Sequence, residues 1–258
     1  MALDIEQAKE FVKSVDLSGT PRSILSHDTA TEAGEVFDQA KTQAQVVGSG
    51  VFSFAQGVGT DVREAISDSA LLAQLVASKR TSFEQAPLDW FRQYSEVLQT
   101  VGWTLQGANW SDYSAGGTAV EVNQKIIEVM TVALGPSPAA LAIITSTVNA
   151  LKAMQPDSSW LTIFRREAQK GRLARFQIGL VENGEASDVF VSLLACLIEA
   201  RNTITQVLFF KWKEGNASFK ASGAKVSIDR AALSALGPAI RTKIRAYQAD
   251  YISNIKDL

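Results

Sequence analysis

The 258-residue chain has one cysteine and one histidine. No disulfide can form within it, no cysteine-based zinc site can be built, and a site needing several histidines is excluded. Any histidine-dependent chemistry rests on His27 alone. An excess of one charge is missing too: 25 Lys and Arg stand against 27 Asp and Glu, a formal net charge of −2. Nucleic-acid binders normally carry a basic stripe, so neither nucleic acid nor a metal ion is an expected partner. Long apolar runs are also absent. The quietest stretch, residues 130–154, is interrupted by Gly135-Pro136-Ser137-Pro138. It falls short of the roughly 20 apolar residues that a spanning helix needs. The opening MALDIEQAKEF has no basic segment leading into an apolar one, which argues against a Sec signal peptide. Ala2 excludes N-myristoylation, and NIKDL is not a prenylation box. The expectation is a chain that is cytoplasmic as synthesised. It would reach a membrane or the exterior through an added lipid, a conformational change or a non-classical export route.

Apolar residues make up 46% of the chain and charged residues 20%, enough to build a sizeable core rather than a disordered chain. Up to about residue 172 the apolar spacing is helical. Ile5, Ala8, Phe11, Val12 and Val15 share one face. Asp28 or Thr29 would cap a second helix running to Val47, with Ala33, Val36, Phe37, Ala40 and Ala44 inward. Asp61 would cap a third, ending on Lys79-Arg80, where cations suit the helix dipole. Pro87 has the place of a first-turn proline for a fourth. Thr118 to Glu121 has capping-box spacing before the run from Ile126 to Leu134. Pro138 opens a further helix to about Met154, and Asp157 or Ser158 another to about Gly171.

The period then changes. Residues 176–181 read as a strand with a turn at Asn183-Gly184. Residues 189–198 are apolar on both faces, as in a central, doubly covered strand. Residues 204–212 and 217–228 read as two more strands, the last with a bulge at Gly223. Residues 230–255 read as one closing helix, with Leu233, Leu236, Ile240, Ile244, Tyr247, Tyr251 and Ile252 inward. The expected class is α+β: a helical N-terminal two-thirds (1–172) packed on a small antiparallel β-meander with a C-terminal helix (173–258). The doubly apolar strand needs the helices as cover, so a single intertwined domain over 1–258 is expected.

Few residues stand out chemically. His27 sits in Leu25-Ser26-His27-Asp28, a loop leading to a helix cap, with no G-x-S-x-G elbow to pair with it. The glycines at 48, 50, 57 and 59 follow no convincing strand, and no G-K-[ST] accompanies them. Between them, Val51, Phe52 and Phe54 occupy a glycine-bounded segment that reads either as a buried plug or as a mobile apolar loop reaching lipid. Trp90, Phe91 and Trp103 fit a core, whereas Trp110 and Tyr113 fall in a Gly/Ser-rich stretch of the kind that suits membrane interfaces. Arg165, Arg166, Lys170, Arg172 and Arg175 form a basic cluster, either a solvated helix end or an anionic headgroup contact. Cys196 lies within Leu193-Leu194-Ala195-Cys196-Leu197-Ile198. It reads as a small buried hydrophobe or as the bearer of a thioester-linked acyl chain. Each buried methylene of such a chain is worth about 0.8 kcal/mol.

The segment VFVSLLACLIEA and the hairpin VLFFKWKEGNASFKASGAKVSID with its following helix resemble the Erwinia virulence factor family over roughly the last 90 residues. The resemblance implies a palmitoylated lipoprotein that associates with membranes and supports bacterial virulence in the insect gut. Cys196 would be the lipid attachment site, palmitate the only non-protein group, and lipid or membrane the partner. Apart from the resemblance, the apolar character of their segments makes Phe52, Phe54, Leu194 and Leu197 the candidates to line a lipid pocket or touch the membrane. The helical half contributes nothing to this resemblance. Two other readings stay open. In a pore-forming or cytolytic toxin, the apolar helices 118–134 and 138–154 would insert as a hairpin. In an acyl-transfer enzyme, Cys196 would act with His27.

Overall fold

The computed structural model describes residues 3–20, 38–113, 120–134, 137–153, 158–184, 188–204, 211–212 and 215–255. The sequence folds into helix α1 (Ile5–Ser14), strands β1 (Gln43–Val47) and β2 (Gly50–Phe54), and helices α2 (Thr60–Arg80) and α3 (Pro87–Thr100). Strands β3 (Trp103–Tyr113) and β4 (Val120–Glu121) follow, then helices α4 (Val122–Leu134), α5 (Pro138–Ala153) and α6 (Ser159–Ala168). The chain continues through β5 (Gln169–Lys170), β6 (Leu173–Asn183), β7 (Asp188–Ala200), β8 (Lys211–Trp212) and β9 (Ala217–Asp229). Helices α7 (Arg230–Ile244) and α8 (Gln248–Tyr251) and strand β10 (Ile252–Ile255) close it. The class is α+β, as the periodicity predicts.

The main sheet runs β10-β1-β2-β6-β7-β9-β3, with β5 beside β6; β4 and β8 form a separate pair. Pairing is antiparallel except between β2 and β6, where Gly50 to Phe54 run parallel to Gln177 to Val181. The expected antiparallel meander is therefore only the β6-β7-β9 section of a larger mixed sheet. Helices cover both faces. On one, α1, α2, α3 and α7 pack on Phe52, Phe54, Val191, Leu193 and Leu197. On the other, α4, α5 and α6 pack on Phe176, Ile178, Leu194, Cys196 and Phe219. Successive strand residues point to opposite faces, which is why the apolar run in β7 feeds both cores.

Several expectations are corrected. The second helix does not reach Val47: residues 43–47 are strand, and residues 21–37, including His27, Asp28 and Thr29, lie outside the described residues. Within the segment 48–59, residues 50–54 are a buried strand, and only 55–59 form a loop leading to α2. Gly48-Ser49 forms a two-residue turn joining β1 to β2, with Gly48 at φ +56. A side chain at Gly48 would strike Gln74 Oε1 as well as strain the backbone. Residues 103–113 are the edge strand β3. The N-terminal two-thirds, expected to be helical, therefore supplies β1, β2, β3 and the short β5 to the main sheet. The bulge lies in β3, between Gln106 and Asn109 with Gly107 at φ +78, and β9 keeps its register past Gly223. Helix α2 is capped by Gly59 rather than Asp61. The closing helix stops at Ile244, and its tail turns back as α8 and β10, which pairs with β1. Of the strand expected at 204–212, residues 205–210 lie outside the described residues, as does the capping-box Thr118.

Candidate functional site: the α4–α5 layer and the sheet face beneath it

Helix α4 turns Val122, Ile126, Val129 and Met130 toward the sheet, and α5 turns Ala140, Ile144, Val148 and Leu151; all are buried. These positions recur every three or four residues, so each helix has one apolar stripe. The only charged residues on the two helices are Lys125, Glu128 and Lys152. Lys125 pairs with Glu128 at 2.7 Å, and Lys152 with Glu121 at 3.2 Å, just before α4 begins. Neither ion pair reaches the main sheet. Among the described residues, one buried side-chain hydrogen bond joins this helix pair to the sheet, between Ser53 Oγ of β2 and Thr147 Oγ1 of α5, at 2.8 Å. The Lys125 ammonium lies 5.7 Å from the Tyr113 ring centroid of β3. Val132, near the tip of the pair, is 80% exposed.

The opposite layer is held differently. Gln74 of α2 donates from Nε2 to the Val47 carbonyl and accepts from the Ser49 N–H, so it grips the β1–β2 turn from both sides. Trp103 Nε1 donates to Ser69 Oγ, fastening the start of β3 to α2. Asp68 is almost fully buried and accepts from Arg241 Nε of α7 at 3.0 Å and Gln248 Nε2 of α8 at 2.7 Å. Arg241 also reaches Glu64 at 2.7 Å. Burial pushes the Asp68 carboxyl above its usual range, although its two donors and Arg241 pull the other way.

Cys196 lies in β7, fully buried on the face that α4, α5 and α6 cover. Its register partners are Phe176 and Ala221. Desolvation raises its thiol well above the ordinary value, so the thiol is held protonated and is a poor nucleophile. Leu194 shares that face, whereas Leu197 belongs to the α2 side. Phe52 and Phe54 are fully buried in β2, also on the α2 side. The five residues singled out from the sequence are thus core residues of two opposite faces, and the structure does not gather them into one pocket. Trp110 packs on Phe91 at 4.8 Å and Tyr113 on Phe219 at 5.9 Å, on opposite faces of β3. The basic cluster is divided as well. Arg175 is buried against Trp90, its guanidinium carbon 3.8 Å from the ring centroid, and burial lowers its pKa to about 10. Sequence reasoning missed Asp68, Gln74 and Thr147, because polar residues within helical stripes give no local sign of a distant partner.

Among the described residues, no helix is long and apolar enough to cross a membrane, and no group of three or more His, Cys, Asp or Glu could hold a metal. No family model matches the chain, and no curated protein matches it. Among solved structures it is similar to a delta-endotoxin, with TM-score 0.44, 13% identity, and coverage of 70% of this chain and 80% of that one. It is also similar to the activated Cyt2Ba monomer from Bacillus thuringiensis subsp. israelensis, with TM-score 0.35, 14% identity, and coverage of 54% and 79%. Both are likenesses of chain path at low identity.

Proposed function

We propose that the protein acts on lipid bilayers as a cytolytic or pore-forming protein, and that α4 and α5 are the elements that leave the sheet to do so. The observation that carries this reading is the seat of the pair: an apolar face that, among the described residues, is tied to the sheet by one buried side-chain hydrogen bond, Ser53–Thr147. Seven of its inward side chains are larger than alanine. Burying each is worth about 1.5–3 kcal/mol, so in water the pair stays seated. A bilayer accepts the same side chains and removes most of that cost. Lengths decide how the helices would lie. Helices of 13 and 16 residues measure about 20 and 24 Å, shorter than the roughly 30 Å hydrocarbon core. They fit in the interface with their apolar stripes down and Lys125, Glu128 and Lys152 at the headgroups.

The test is a lock at the existing contact. In a Cys196→Ala background, Ser53→Cys with Thr147→Cys places two thiols where the hydroxyls now touch. The oxidised protein should release no dye from liposomes, and reduction should restore release. Release that is unchanged by the lock, or absent from the unlocked protein, would contradict the reading.

A further inference from the structure

We propose that the C-terminal segment has a second folded state, in which α7, α8 and β10 join into one continuous helix and leave β1 as the bare edge of the sheet. This proposal is independent of the movement of α4 and α5.

The first support is a conflict between local sequence and observed structure. Leu233, Leu236, Ile240, Ile244, Tyr247, Tyr251 and Ile255 follow one another by three, four, four, three, four and four positions. That is a single helical stripe running through the break and into the strand. From Ala239 to the last residue there is no glycine or proline to end a helix. A local preference that disagrees with the adopted structure marks a segment with a competing state.

The second support is the hinge. Arg245 has φ −48 and ψ −38, already helical, and Tyr247 has φ −112 and ψ −18, still in the right-handed region. Helical geometry lies at about −63 and −42. Only a modest rotation is therefore needed between α7 and α8, and the larger change falls at Ile252, whose φ −122 and ψ 127 must turn helical for the helix to continue through β10. Nothing needs to be refolded on the α7 side.

The third support is the way the bend is held. Gln248 donates to Asp68, the Gly48 N–H donates to the Tyr251 carbonyl at 2.7 Å, and Tyr247 Oη donates to the Leu17 carbonyl at 2.9 Å. These are discrete latches on three different elements, added to a four-pair ladder between β1 and β10. In the straight form, the Tyr251 carbonyl would instead accept from the Ile255 N–H, the ordinary helical partner.

Spin labels at Ser234→Cys and Asn254→Cys read the two forms directly, with the buried Cys196 left in place. Twenty residues of continuous helix separate the labels by about 30 Å. The wild type should show mainly a shorter distance and a minor population near 30 Å. Gln248→Ala, which removes one latch, should enlarge the minor population several-fold. Adding Ser253→Pro, which keeps Ile252 in the extended conformation it has in the bent form (φ −122, ψ 127) and disfavours the helical one, should abolish it and keep the shorter distance. A single unchanged distance in both wild type and Gln248→Ala would overturn the proposal. So would a broad spread with no peak near 30 Å, the sign of a frayed tail rather than a second fold.

Discussion

The two helical layers bury similar kinds of side chain against the same sheet, yet they are fastened in opposite ways. The α2 layer combines apolar packing with long-range polar ties: Gln74 to the β1–β2 turn, Ser69 to Trp103, and Asp68 to α7 and α8. The α4–α5 layer has the packing with almost none of the ties. Apolar contact is non-directional and is satisfied equally by a protein face or a lipid tail. Hydrogen bonds to a particular partner are not. The difference separates a layer that fixes the fold from a layer that water, rather than the protein, keeps in place.

A buried charge should separate the two layers most sharply. Leu72 on α2 and Ile144 on α5 are both fully buried. An unpaired buried carboxylate costs several kcal/mol. Leu72→Asp should prevent folding altogether. Ile144→Asp should leave the sheet and the α2 layer folded with α4–α5 released, so that limited proteolysis cuts within 122–153 and spares α2. Equal loss of structure in both variants would remove the distinction.

The next largest effect concerns the ties themselves. Arg241→Ala leaves Asp68 with Gln248 as its remaining side-chain partner. Because Arg241 is 44% exposed, the loss is discounted from that of a fully buried pair, to about 1–2 kcal/mol in urea unfolding. Thr147→Val should cost less, about 1 kcal/mol for one hydrogen bond. Its consequence should instead appear as faster dye release, whereas Arg241→Ala should not speed release.

The smallest effect is a pH dependence. The folded carboxyl of Asp68 titrates above its ordinary value of 3.8, mainly through burial. The folded state therefore holds that proton more tightly than the unfolded state does. Its contribution to stability is complete below about pH 3.8 and is lost as pH rises through the folded value. Asp68→Asn should flatten this portion of the stability profile, and an unchanged profile would assign the slope to other groups.

Much of this arrangement is legible in the sequence. Pro87 and Pro138 each open the helix that their position predicts. The runs in β6, β7 and β9 read as strands, and the doubly apolar β7 is indeed covered on both faces. Helices α4 and α5 are the apolar pair expected on either side of Gly135-Pro136-Ser137-Pro138. What is hidden depends on distant partners. Strands β1 and β2 have five residues each and are almost wholly buried, so neither shows alternation, and β2 joins β6 across more than a hundred residues. Strand β3 loses its alternation at the Gly107 bulge. Strand β10 carries a helical stripe and is held as a strand by β1. The asymmetry between the layers is the least legible feature. The bonds that define it join residues 94, 173 and 180 positions apart.

The most direct measurement uses the native cysteine. Cys196 is fully buried on the sheet face that α4, α5 and α6 cover. A thiol-reactive reagent read out by intact mass should leave Cys196 unmodified in buffer and modify it when liposomes are added, over the same interval as dye release. Dye release with Cys196 still unreactive would contradict the account, because the bilayer would then have been breached with the α4–α5 layer still seated.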